Sequence, residues 1–184
     1  AIVPKSDLIL NNILANPTRF EFFNCLNRMG TDLEFISTWK EAGEKVKNIR
    51  IINRKLESIK INKNQIPSLI DEIPILSIIA TQAEGKTEIR GAKELRFKES
   101  DRIKAIIFNL RNMGASIEEY DDGFTIIGPT KLNGTTIKTY NDHRIAMSFM
   151  VASLIADGRT TFDNEKCVDI SFPGFYRLLN SIVK

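Results

Sequence analysis

The stretch Ile106-Ile107-Phe108-Asn109-Leu110-Arg111-Asn112-Met113-Gly114, followed by Ala115-Ser116-Ile117-Glu118-Glu119, decides the reading of the fold. Together with Ile103, its apolar residues Ile106, Ile107, Leu110 and Met113 recur at three and four residues, which predicts an amphipathic helix closed by Gly114. The alternation after Gly114 predicts a strand. The same grammar occurs earlier, in Phe22-Phe23-Asn24-Cys25-Leu26-Asn27-Arg28-Met29-Gly30. There Phe20, Phe23, Leu26 and Met29 mark a helical face, Thr18 is the expected N-cap, Gly30 the C-cap, and a strand is expected from Asp32 to Ser37. Two segments sharing wording and order indicate an internal repeat.

A second pair extends it. Asp71-Glu72-Ile73-Pro74 leads through an apolar helix towards Gly85, and Asp142-His143-Arg144-Ile145 leads through another towards Gly158. Strands are expected after each, at Thr87 to Arg90 and Thr160 to Asp163, and further strands at Leu8 to Leu10, Ile49 to Ile52, Phe124 to Ile127 and Thr136 to Lys138. The copies cover about residues 17–90 and 100–163, and a last helix is expected over residues 173–183. Helices alternating with strands in this way predict sheets packed on helices, an α/β (α+β) domain.

Composition bounds the function without deciding it. The chain has 184 residues, 42% hydrophobic and 27% charged, the range of one globular domain. Lys and Arg exceed Asp and Glu by 26 to 23, a mild excess that permits anionic ligands without singling out nucleic acid. Cys25 and Cys167 lie far apart and outside any metal-ligand spacing, so neither a disulfide framework nor a metal site is implied, and a cytoplasmic setting is expected. The longest apolar run, Ile73 to Ala83, is too short to span a bilayer, so no membrane partner is expected. A start at Ala1-Ile2-Val3-Pro4 without an initiator Met reads as an excised domain.

Polar residues cluster at the starts of the predicted helices. Arg96-Phe97-Lys98-Glu99-Ser100-Asp101-Arg102 precedes the Ile103 helix, with Ser100 or Asp101 as N-cap. Backbone N–H groups at such a terminus attract anions, and Arg102 in the first turn adds a guanidinium fork for a carboxylate or phosphate. Because the helix dipole disfavours a cation there, an Arg in that place suggests a compensating anion, and the same residues also read as an ordinary charged cap with exposed Lys and Arg. Tyr140-Asn141-Asp142-His143-Arg144 repeats the arrangement, with Asn141 or Asp142 as cap, Arg144 as a second guanidinium and His143 as the single histidine. Two repeats presenting an Arg at equivalent edges can converge on one small dianion. In Ile70-Asp71-Glu72-Ile73-Pro74, Asp71 reads equally as an N-cap or as a functional carboxylate, and Pro74 suits the first turn.

Leu95-Arg96-Phe97-Lys98-Glu99-Ser100-Asp101-Arg102 and Asn141-Asp142-His143-Arg144-Ile145-Ala146-Met147 resemble the two signatures of the carboxy-terminal half of the 5-enolpyruvylshikimate-3-phosphate synthases. Asn16-Pro17-Thr18-Arg19, Ile70-Asp71-Glu72-Ile73-Pro74 and Ser171-Phe172-Pro173 fit the same pattern in order and separation. The resemblance implies a domain of βαβαββ-type units around a pseudo-threefold axis, with helices inside and sheets outside. It also implies an amino-terminal domain, absent from this sequence, as partner across a substrate cleft.

The implied reaction moves the enolpyruvyl group of phosphoenolpyruvate to the 5-hydroxyl of shikimate 3-phosphate, without cofactor or metal. By matching motif, Asp71 resembles the acceptor of the 5-hydroxyl proton, Lys98 a contact to shikimate 3-phosphate, and Glu99 the proton donor to phosphoenolpyruvate. Arg102 and Arg144 resemble the clamp on phosphoenolpyruvate, with His143 beside them. One departure stands out. Some members of the family carry a Lys three residues after the Cys of the last motif, where this chain has Ile170 after Cys167, which leaves Lys166 as a substitute phosphate contact. That departure, with the form of Ile70-Asp71-Glu72, implies an altered response to the inhibitor glyphosate.

Two other readings are open to the same residues. A UDP-N-acetylglucosamine enolpyruvyl transferase-like domain shares the chemistry but is not expected to carry both signatures. A basic RNA-binding α/β module would need aromatic residues interleaved with basic ones along a strand, and none is evident.

Overall fold

The computed structural model describes residues 1–183, in which five α-helices and ten β-strands are found. Strands β1 (Asp7–Leu14), β2 (Asp32–Glu41) and β3 (Glu44–Ile52) form an antiparallel sheet with β3 in the middle. Ala42 and Gly43, both at positive φ, make the β2–β3 turn, the two-residue geometry whose twist matches paired strands. Ile49 and Ile51 of β3 turn inward to meet Phe20 and Ala15 beside helix α1 (Glu21–Arg28).

The second sheet contains β4 (Leu56–Glu57), β5 (Lys60–Ile61), β6 (Ala83–Ile89), β7 (Ser116–Tyr120) and β8 (Gly123–Gly128). Its order is β4-β6-β8-β7, with β5 also on β6; β4 and β5 run parallel to β6, while β8 is antiparallel to both its neighbours. A parallel pair, β9 (Thr136–Ile137) and β10 (Thr161–Phe162), completes the strands.

The remaining helices are α2 (Ile73–Ala80), α3 (Arg102–Asn112), α4 (His143–Ser153) and α5 (Phe175–Ile182). Helix α2 is apolar on every side and buries all its residues but Ile75, as a central helix must. It packs chiefly against α4, with α3 adjoining both, so the amino-terminal turns of α3 and α4 come together near residue 71. Asn109, fully buried in α3, shows how a polar core group is satisfied: its amide donates to the Lys138 carbonyl at 2.8 Å and accepts from the Lys138 N–H at 2.9 Å, clipping the end of β9 to the helix.

Several local expectations are corrected. Thr18 does not cap α1. Phe20 occupies the N-cap without a side-chain bond, while the Thr18 N–H and hydroxyl both donate to Asn16 Oδ1 in an Asx turn. Helix α2 stops at Ala80 instead of running to Gly85, which lies inside β6. Helix α4 stops at Ser153, well before Gly158. Helix α5 is shorter than expected at both ends.

Candidate active site

Two N-caps organise the site. Asp101 caps α3 by accepting the Lys104 N–H at 3.0 Å. Asp142 caps α4 by accepting the N–H of Arg144 at 2.9 Å and of Ile145 at 3.4 Å. Asp142 also crosses to the other repeat: its carboxylate accepts Arg102 Nε at 2.8 Å, Arg102 Nη2 at 3.3 Å and the Ser100 hydroxyl at 3.0 Å. Both charges are out of water, Asp142 at 0% and Arg102 at 1% exposure. Burial alone would raise the Asp142 carboxyl, but the bond and charge of Arg102, the Arg144 N–H and Ser100 together hold it below the ordinary carboxylate value.

Arg102 is therefore the junction of the three acids around it, Asp142, Glu99 and Asp71. Beyond Asp142, its Nη2 donates to Glu99 at 2.7 Å and its Nη1 reaches Asp71 at 3.4 Å. The expected open fork is instead closed: one edge is locked on Asp142, and the edge facing Asp71 and Glu99 carries two displaceable carboxylates. Glu99 is half-exposed and makes the shorter of these two contacts.

Asp71 does not cap α2. Glu72 sits in that place without a side-chain bond, and the Asp71 carboxylate is held loosely by three guanidiniums, from Arg19 at 3.5 Å, Arg102 at 3.4 Å and Arg144 at 3.4 Å. Arg144 also donates to the Asp71 carbonyl at 3.0 Å and lies 3.8 Å from Glu72. Burial pushes the Glu72 carboxyl up, against the pull of Arg144. A cavity of about 200 Å³ opens here, with Asp71, Glu72 and Arg144 at its mouth and Ile75, Met147 and Val151 among its lining.

Of the remaining expected residues, Lys98 is half-buried and paired with Glu94 at 3.0 Å, not with Glu99. His143 is the first residue of α4, half-buried next to Arg144. Asp71, Glu99, Arg102 and Arg144 are thus one connected cluster, with Lys98 and His143 adjoining them in sequence. Lys166 is exposed in the 3-10 turn Lys166–Ile170, and Ile170 is 83% exposed. No group of three or more His, Cys, Asp or Glu with metal-holding geometry occurs among the described residues.

Sequence reasoning gave Asp142 only a capping role, offered Ser100 as a cap that Asp101 supplies instead, and gave Arg96 and Arg19 none. A carboxylate at a capping position and a serine ahead of an Arg are visible signals, but their partners lie 40 or more residues away.

The sequence profile of a family described as EPSP synthase (3-phosphoshikimate 1-carboxyvinyltransferase) matches residues 1–179. A 3-phosphoshikimate 1-carboxyvinyltransferase of Thermodesulfovibrio yellowstonii is 47% identical over the whole chain, and one of Endomicrobium trichonymphae is 45% identical. The chain spans 43% of the length of each of these relatives. Among solved structures, an EPSP synthase from Acinetobacter baumannii superposes over 97% of the chain and 42% of its own, with TM-score 0.92 and 38% identity. An enolpyruvyl transferase, NikO, from Streptomyces tendae shares the fold over 98% of the chain and 39% of its own, with TM-score 0.72 at 20% identity.

Proposed function

Because the chain belongs to the EPSP synthase family, we propose that it supplies one wall of an active site that transfers the enolpyruvyl group of phosphoenolpyruvate to the 5-hydroxyl of shikimate 3-phosphate. The opposite wall comes from an amino-terminal domain, the chain here being the carboxy-terminal one; a match to only 43% of each relative's length supports this division. Residues 17–90 and 100–163 are two copies of one unit about a pseudo-threefold axis. The parallel placement of α1 and α3, and of α2 and α4, in the chain order supports that reading.

The observation that carries the function is the junction at Arg102, where two arginines and two carboxylates from three helix starts meet with no other role to explain their concentration. A bound carboxylate or phosphate takes the displaceable edge of Arg102 and the guanidinium of Arg144, releasing Glu99 and Asp71. Glu99, freed and protonated from solvent, passes that proton to the methylene carbon of phosphoenolpyruvate. The 5-hydroxyl oxygen bonds to the adjacent carbon while Asp71 accepts its proton, giving a tetrahedral adduct. Loss of phosphate, with return of a methyl proton to Glu99 and of the Asp71 proton to the leaving group, restores the double bond as an enol ether. Lys98, once drawn from Glu94, contacts the anionic substrate, and His143 assists Arg144.

In the two halves assembled together, Glu99→Gln and Asp71→Asn are each expected to lower kcat by roughly 100- to 10,000-fold, the range of general acid–base contributions. Turnover unchanged in both variants would remove these roles. Two cysteines buried as free thiols suit a reducing cytoplasm.

A further inference from the structure

The sequence assigned Arg96 no task, yet its guanidinium makes the densest set of anchoring bonds near the site. Nε donates to the Asp121 carbonyl at 2.8 Å, and Nη2 to the Tyr120 carbonyl at 2.8 Å and to Glu119 at 2.9 Å. Nη1 donates to Asp101 at 3.1 Å. The side chain is only 16% exposed. Its acceptors fall on two bodies: the end of β7 with the turn that follows it, and the N-cap of α3. That turn is itself fixed, since Asp122 accepts the Gly91 N–H at 2.9 Å and Arg90 Nε at 2.8 Å, and its carbonyl accepts the Ala92 N–H at 2.7 Å.

Between the two bodies runs Phe97-Lys98-Glu99-Ser100, the segment that presents Glu99 to Arg102. Phe97 is 77% exposed, so no apolar contact of its own side chain holds this segment down. Resting on the function proposed above, we propose that Arg96 is the positioning residue for the proton donor: by tying Asp101 to the β7–β8 turn it closes residues 96–101 into a small ring and fixes where Glu99 stands. Arg96 touches no reacting atom. Its planar fork suits acceptors set at several angles, which the single ammonium of a Lys cannot satisfy together.

The test is a cycle of four forms, with and without Arg96→Met and Glu99→Gln, measured as phosphate release by the assembled halves and as backbone order parameters of Lys98, Glu99 and Ser100 in this chain. Arg96→Met is expected to lower kcat by about 10- to 100-fold, the cost of misplacing a catalytic group by around 1 Å, with little change in KM for phosphoenolpyruvate. In the Glu99→Gln background the same change is expected to cost less than about threefold, because the group it positions is already absent. Order parameters of the three residues are expected to fall while those of α2 hold. Arg96→Lys carries the same cycle if Arg96→Met does not fold. An equal loss in both backgrounds would make Arg96 a general structural residue and overturn the proposal, as would unchanged order parameters. Failure of the reading it rests on is separate: the wild-type halves would release no phosphate, and the order parameters would still decide whether Arg96 holds the ring.

Discussion

At the scale of single residues, Asp142 carries the most weight, because it is the counter-charge to a fully buried guanidinium and the cap of α4 at once. Asp142→Asn is expected to cost about 3–5 kcal/mol, the penalty for leaving a buried charge unpaired, seen as a lower urea midpoint. The pH dependence follows from its direction of shift. A carboxyl held below its ordinary value of 3.8 contributes stability in full above that value and loses it as pH falls through the folded-state value. The wild-type acid limb below about pH 4 should therefore be steeper than that of Asp142→Asn, and parallel limbs would contradict the assignment. The cysteines give a second expectation. Burial pushes the Cys25 thiol to about 12 and raises that of Cys167, so neither should react with a disulfide reagent at pH 8 until urea unfolds the chain. Residue identity at the site was largely legible, since Asp71, Glu99, Arg102 and Arg144 stand in short motifs. The pairing of Arg102 with Asp142 was not, because helix-start grammar is local and this contact joins two repeats.

At the scale of elements, the β7–β8 turn is the anchor on which the site segment hangs. Gly123, the first residue of β8 after it, has φ +159, and an added Cβ would stand 2.0 Å from the Ile89 carbonyl oxygen, so β6 and β8 pair only with no side chain there. Gly123→Ala is expected to destabilise by about 3 kcal/mol, at the upper end of overpacking costs, and a melting temperature within 2 °C of wild type, allowing roughly 4 °C per kcal/mol, would contradict it. Asp101→Ala removes the α3 cap, about 1 kcal/mol, and frees Arg96 with it, so its effect on kcat should exceed its effect on stability. Element types were readable from the sequence: α1 and α3 by their three- and four-residue apolar spacing, β8 by its aromatic and β-branched residues Phe124 to Ile127. Element ends were not. The apolar run of α2 resumes at Ala83 after Thr81 and Gln82, and the stop at Ala80 is set by Thr81, whose hydroxyl donates to the Ile78 carbonyl at 2.7 Å before the chain turns out to its strand. The two-residue strands β4 and β5 lack the length for a period to appear.

At the scale of the molecule, the cluster around a buried Arg102 has half-exposed Glu99 and loosely held Asp71 at its outer edge. A reaction between two charged substrates needs them oriented on both sides, and the relatives that span the whole reaction are more than twice as long as this chain. The chain alone is expected to fold without turning over substrate. Phosphate release from phosphoenolpyruvate and shikimate 3-phosphate, measured for the chain alone, for the chain with an amino-terminal half, and for that mixture carrying Glu99→Gln, tests this most directly. Release by the wild-type mixture alone is the predicted result, and no release from halves that demonstrably associate would contradict it.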